Sequence, residues 1–523
     1  MCELSDSLYA PCEVCISSTL CFAFLTATHE EWVDKGQKSA GGTPSGYGEP
    51  HMRRYGNVKI TSEPASETLQ PLRTDVTSTE LENARKRIHN HLWGGGGLSY
   101  HDVYRVIVEL VLCRYHDECT TKASQPYQFQ RQRPDETAAK LADRVRDLCK
   151  DAAAGAGAAA IDAPFSKLVA SPEKLAYAIE QFEGISFTRN ALSDDSDILG
   201  DFFEATLGTE FKQGKGQFFT HKVIARFALS LAGLDRSADK ALEGSSPRWP
   251  RIIDPSCGSG TFLVEALRQV CDSARAYKAR VSHLSPHQEQ TLARFDDPSL
   301  IRNWADDLFY GIDAHEDLSI GCKVNMLMHK ASPKNIFACD ALSDLGRSSV
   351  PMGEFDLVAT NPPFSVKLSP EERNHLKGEY TLLQGAGKVA SEHLFLERWY
   401  KLLREGGRVV AVVPESLLDT KANRPARKFL YQNFYLEAVI ALPELTFLPY
   451  TATRTVVLLA RKKTAAEDLL WADAMERAVM QHGTDEEACF QAALHESAGP
   501  AEVFMAEPQA VGYTGQSHES AYL

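Results

Sequence analysis

The chain has 523 residues, of which 43% are hydrophobic and 24% charged, and its formal net charge is −14. The length predicts two or three domains, and the composition can bury a core. The acidic balance argues against a protein that grips nucleic acid by a general basic excess, because phosphate neutralisation supplies much of such affinity; contact with nucleic acid would need a local basic patch or a partner.

The 12 cysteines follow no repeating spacing and read as free thiols of a reducing cytosol. Cys12 and Cys15 form a C-x-x-C with Cys2 and Cys21 nearby, but no second ligand pair at zinc spacing accompanies them, so no metal site is expected. The apolar run from Leu20 to Ala27 is too short to cross a bilayer. Glu3 and Asp6 stand where a signal peptide carries positive charge. These features read as a cytoplasmic protein.

Residues 1–78 are rich in Ser, Thr, Gly and Pro without a sustained period, and are expected to be a weakly ordered lead. Residues 79–212 read as a helical domain. Glu80 to His91 is a charged helical segment, Gly94 to Gly97 break it, and Val103, Val106, Ile107, Leu110, Val111 and Leu112 recur at helical spacing. Over 213–462 short apolar runs alternate with helical stretches. Strands are expected at 251–254, 308–313, 336–340, 355–361, 408–413, 439–442 and 456–460, with a helix before the fifth that stops at Gly406-Gly407. Such alternation predicts a mostly parallel sheet with helices on both faces and ligands at the carboxyl ends of the strands. Residues 463–523 read as a C-terminal tail.

Four strand ends carry chemistry. Asp254-Pro255-Ser256-Cys257-Gly258-Ser259-Gly260-Thr261-Phe262 follows a strand and opens a helix; its glycines permit a tight turn and close backbone approach to a ligand. Phe262 replaces the third glycine of a dinucleotide fingerprint, and no lysine follows, which excludes a phosphate-cradling loop. Asp313 ends the second strand, where a carboxylate can accept both ribose hydroxyls of a nucleoside; a helix cap is the other use. The spacing from Asp254 exceeds the usual ~20 residues, which an insertion around 279–305 accounts for. Asp340 could accept from an adenine amine or cap a turn. Asn361-Pro362-Pro363-Phe364 is the most telling. Its prolines fix the backbone and remove two donors. That leaves the Asn361 side-chain oxygen and the Pro362 carbonyl as acceptors for one amine, with Phe364 placed to stack on a planar base.

The order Gly214-Lys215-Gly216-Gln217-Phe218-Phe219-Thr220, then 254–262, then 361–364 resembles amino-DNA methyltransferases of the gamma arrangement. It is similar in particular to the modification subunit of type I restriction–modification systems. Asp197 to Glu204, Leu92 to Gly96 and Pro443 to Arg461 fit the same family, and the resemblance covers roughly residues 80–515. It implies an α/β fold: a Rossmann-like seven-stranded methyltransferase sheet, its last strand antiparallel, preceded by an N-terminal α-helical domain. It implies S-adenosylmethionine as cofactor. Gln217, Phe218, Phe219 and Thr220 would line its methionine end together with Gly258, Ser259, Gly260 and Thr261 of the turn that Asp254 opens, with Asp313 on the ribose and Asp340 on the adenine. Asn361, Pro362, Pro363 and Phe364 would hold a flipped target adenine for in-line transfer to N6, which needs no metal and no covalent nucleophile. Cys257, in the cofactor turn, is not placed as a cytosine-type nucleophile.

The resemblance also implies double-stranded DNA, a specificity subunit and a restriction subunit as partners. His221 stands where the family has proline, and little chain follows Val503 to Ala506, where relatives continue into helices that grip the specificity subunit. No segment is long enough for a target-recognition domain. Two other readings stay open. One is methylation of a glutamine amide in a protein, against which Phe364 and the Gln217–Thr220 segment argue. The other is a noncatalytic cofactor-binding scaffold, which would not require Asn361.

Overall fold

The computed structural model describes residues 72–94, 97–122, 125–133, 135–155, 168–190, 202, 220–246, 248–296, 305–343, 345, 349–364, 366–384, 389–444, 446–448, 451–497 and 502–511. The Cys12/Cys15 pair, Gln217 to Phe219 and all of Asp197 to Glu204 except Phe202 lie outside the described residues.

Helix α1 (Ser78–Trp93) starts at a capping box in which Thr77 accepts from the Glu80 amide while Glu80 accepts from the Thr77 amide. Ser99 and Asp102 do the same for α2 (Tyr100–Thr120). Each box satisfies two backbone donors that a helix start leaves over. With α3 (Ala138–Gly155) and α4 (Pro172–Phe182) these helices enclose an apolar core that includes Val103, Val106, Ile107, Leu110, Val111, Leu141 and Ile179. Phe202 meets Phe182 edge-on at 5.9 Å between ring centres.

The rest is a sheet between helices. In chain order it comprises α5 (Lys222–Leu231), α6 (Leu234–Leu242), β1 (Ile252–Asp254), α7 (Thr261–Arg280), α8 (Pro286–Asp296), β2 (Phe309–Asp313), α9 (Glu316–Met328), β3 (Ile336–Ala338) and β4 (Phe355–Thr360). Then come α10 (Pro370–Leu376), α11 (Ser391–Leu402), β5 (Leu403–Pro414), α12 (Arg424–Asn433), β6 (Phe434–Ala441) and β7 (Thr455–Lys462). The strand order is β3-β2-β1-β4-β5-β7-β6-β8, where β8 is Phe504–Ala506. Parallel pairing joins β3 to β2 to β1 to β4 to β5, and β7 runs antiparallel to both neighbours. Successive residues point to opposite faces, so Ile252 packs with α5 and α7 while Ile253 packs with α11.

Two expectations are corrected. The sheet has eight strands rather than seven, because Phe504–Ala506 pairs in parallel with β6. Helix α11 stops at Leu402, not at the glycine pair, and β5 begins at once. The pairing shifts from Phe355↔Leu403 to Leu357↔Arg408, so 404–407 bulge out. Gly406 supplies a left-handed residue (φ +70°), and a Cβ at Gly407 would lie 2.9 Å from the Phe355 carbonyl oxygen. Between β7 and β8 the chain also forms two helices, α13 (Ala465–His482) and α14 (Glu486–Glu496), which pack through Trp471, Ala474, Cys489 and Phe490.

Helix α9 belongs to both halves. Every residue from Asp317 to Met328 is buried. Leu318, Ile320, Val324, Leu327 and Met328 complete the core of the helical bundle, whereas Cys322 and Met326 face the sheet. Its first turn is tied to α2 by Arg105 on Asp317 (2.6 Å), Arg105 on Glu316 (2.8 Å) and His101 on Asp317 (2.5 Å).

Candidate active site

The site is made where neighbouring parallel strands end together. β1 lies between β2 and β4, so the turns after all three reach one edge of the sheet. After β1, Gly258 (φ +53°) and Gly260 (φ +93°) turn the chain sharply into α7, which Gly260 caps. Here the glycines are obligatory: a Cβ on Gly260 would stand 2.8 Å from the Cys322 sulfur. The turn hangs on the end of β2, with the Cys257 amide donating to the Ile312 carbonyl (2.9 Å) and the Gly258 amide to Asp313 Oδ2 (3.0 Å). From α9, Asn325 donates its side-chain amide to the Ser259 carbonyl (3.1 Å).

The two carboxylates work differently. Asp254 is enclosed, and its Oδ1 accepts from the Thr360 hydroxyl (2.6 Å) and the Ser256 amide (3.0 Å). Burial pushes its pKa up to about 7, against the pull of those donors. Asp313 joins the second turn to the first: Oδ1 accepts from the His315 amide (2.8 Å) and Oδ2 from Gly258. Burial pushes it up to about 6. Each oxygen keeps a second lone pair, so the carboxylate can still accept from a bound hydroxyl.

Thr220, Asp254, Ser256, Cys257, Gly258, Ser259, Thr261, Phe262 and Asn361 line one open cavity. The glycine turn and Asn361 therefore share one chamber. The Pro363 carbonyl accepts from the Ser391 hydroxyl (3.1 Å), and Phe364 is buried, edge-on to Phe447 with ring centres 6.5 Å apart. His221 is the N-cap of α5, its ring nitrogen accepting from the Val223 amide (3.3 Å). β3 ends two residues before Asp340, whose oxygens cap the following turn through the Leu342 amide (2.9 Å) and the Ser343 hydroxyl (2.8 Å). Cys257 is buried beside Cys322, and the hydrogen bond between them together with burial raises its thiol pKa well above the ordinary value, as for a packing residue rather than a nucleophile.

The model of the N-6 DNA methylase family matches residues 194–493. The chain belongs to that family. Among relatives of this N-6 DNA methylase, the type I restriction enzyme EcoEI methylase subunit of Escherichia coli is 25% identical over 272 residues, 52% of this chain and 47% of that protein. The type I restriction enzyme MjaVII methylase subunit of Methanocaldococcus jannaschii is 23% identical over 289 residues, 51% of this chain and 41% of that protein. The chain thus spans about half the length of the curated relatives it matches. A solved type I restriction–modification methyltransferase subunit from Streptococcus thermophilus is 20% identical, covering 74% of this chain and 86% of that one with a TM-score of 0.48.

Sequence reasoning left Ser256, Thr360, Asn325, Ser391 and Phe447 without roles. Asn325 had a signal, a lone amide inside the apolar run Val324 to Met328. Among the described residues no helix is long and apolar enough to cross a membrane.

Proposed function

We propose that this N-6 DNA methylase transfers a methyl group from S-adenosylmethionine to N6 of an adenine in double-stranded DNA, as the modification subunit of a type I-like restriction–modification system. The observation that carries this reading is the convergence of the β1 glycine turn and Asn361 on one cavity. The donor set suits the cofactor. A glycine turn at a helix start admits its backbone-hugging methionine end, and Asp313 can accept from a ribose. When bound, the cofactor supplies an electrophilic sulfonium methyl. Gln217, Phe218, Phe219 and Thr220 would line its methionine end, and Asp340 would take the adenine ring.

The Asn361 side-chain oxygen and the Pro362 carbonyl each accept one hydrogen of the target amine, which directs the nitrogen lone pair outward without deprotonating it. Pro363 keeps the backbone rigid and Phe364 offers an apolar wall. Catalysis by such a site consists of placement and charge. The base leaves the duplex first, at a cost of a few kcal/mol.

In this reading residues 79–212 form the helical domain, 213–462 the methyltransferase domain, and 463–523 a C-terminal region carrying α13 and α14. The net charge of −14 favours sequence recognition by a separate specificity subunit, with a restriction subunit as a further partner. The test is methylation of plasmid DNA, followed by sequencing for N6-methyladenine, with this chain alone and with the specificity subunit. Site-specific methylation should appear with the subunit present and vanish in Asn361→Ala, which should still bind cofactor. Wild-type rates from Asn361→Ala would remove that residue from the chemistry, and efficient methylation of one sequence by the chain alone would defeat the subunit reading.

A further inference from the structure

The backbone ladder between β1 and β4 pairs Ile252 with Leu357 and Ile253 with Val358. Above that register side chains carry the join upward. The Thr360 hydroxyl donates to Asp254 Oδ1 at 2.6 Å, and Ser256 Oγ lies 2.7 Å from Thr360 Oγ1 and 3.1 Å from the Asn361 carbonyl oxygen. Each hydroxyl has one hydrogen to give. The Thr360 hydrogen goes to the carboxylate, so the Ser256 hydrogen is left for Thr360 Oγ1, the Asn361 carbonyl or Asp254 itself. Thr360 is fully buried and Asp254 nearly so, which shuts that end of the chain from water, while Ser256 is half-buried and lines the cavity.

We infer that Ser256 is a positioning residue for the transfer. Its hydroxyl, braced through Thr360 on Asp254, sets the spacing between the turn that holds the methyl donor and the asparagine that holds the acceptor amine. The inference rests on the methyl transfer proposed above. The turn has its own anchors, which do not use this hydroxyl: the Ser256 amide on Asp254, Cys257 on Ile312, Gly258 on Asp313 and Asn325 on Ser259. Loss of the hydroxyl therefore leaves the donor side of the site in place and loosens the acceptor side relative to it.

The experiment compares wild type, Ser256→Ala and Ser256→Thr, each in complex with the specificity subunit. It measures transfer of labelled methyl to genomic DNA from a strain lacking the gene, and cofactor Kd by calorimetry. Because a misplacement of about 1 Å can cost on the order of a hundredfold in rate, Ser256→Ala should lower kcat by about tenfold or more while cofactor Kd stays within about threefold. Ser256→Thr, which keeps the hydroxyl, should restore most of the rate. A kcat within about twofold of wild type in Ser256→Ala overturns the inference, as does a loss of cofactor affinity as large as the loss of rate. A wild-type complex that transfers no methyl overturns the functional reading itself, and is told apart because the defect is then present before any substitution.

Discussion

Replacing Gly260 by alanine perturbs the glycine turn after β1 through two separable terms. The residue is left-handed at φ +93°, which costs an alanine about 1–2 kcal/mol. The new Cβ would also stand 2.8 Å from the Cys322 sulfur, and Cys322 is fully buried in α9, so the sulfur has no solvent to turn into. Overpacking of that kind costs about 1–3 kcal/mol, giving a total of about 2–5 kcal/mol. In a Cys322→Ala background the remaining atoms of residue 322 are 3.6 Å away, an ordinary contact. There the cost should shrink to the backbone term, about 1–2 kcal/mol. Urea unfolding of the four proteins in this cycle, with calorimetric titration of S-adenosylmethionine, measures both stability and site geometry. The same destabilisation in both backgrounds would refute the claim that the turn is closed by contact with α9.

Other outcomes follow from the carboxylates and from the bundle. Burial holds Asp254 up at about 7 and Asp313 at about 6, so the folded chain binds more protons than the unfolded chain above about pH 4. The stability their neutral forms contribute is full below about pH 4 and lost as pH rises through about 6 and about 7. Urea midpoints should therefore drop between about pH 5 and about pH 8, less steeply in Asp313→Asn, and parallel curves would contradict the shift. Asp313→Ala should weaken S-adenosylmethionine binding by about tenfold or more, since it removes charged acceptors; unchanged calorimetric affinity would take Asp313 out of the site. In α9, a Cβ on Gly321 would overlap the Tyr104 hydroxyl oxygen, which is buried with no hydrogen-bond partner among the described residues. Gly321→Ala should thus destabilise, whereas Gly321→Ala with Tyr104→Phe should exceed wild-type stability by about 1 kcal/mol, from helix propensity and the lost hydroxyl; a double variant no better than the single one would count against this.

Local chemistry explains which features were legible beforehand. The glycine turn and Asn361 motif announce themselves because their residue types are dictated by backbone geometry at a strand end, and their shared edge follows from parallel pairing. Gly406 and Gly407 misled because a helix stop and a strand bulge ask for the same residue, and only the pairing with Phe355 decides. The strand Phe504–Ala506 is three residues long, too short for any period, and exists because β6 offers it an edge. Ser256, Thr360 and Asn325 are small polar residues whose partners sit on other elements, so their roles arise only when β1, β4 and α9 meet.

The division of α9 between two cores has a practical side. Leu318, Ile320, Val324, Leu327 and Met328 are interior to a bundle whose other members precede residue 203. A fragment trimmed to begin near residue 213 would keep that helix and lose its cover. Five large apolar side chains would then meet water beside the turn that Asn325 steadies, and the fragment should aggregate. The half that carries the sheet, in that sense, is not a separable part.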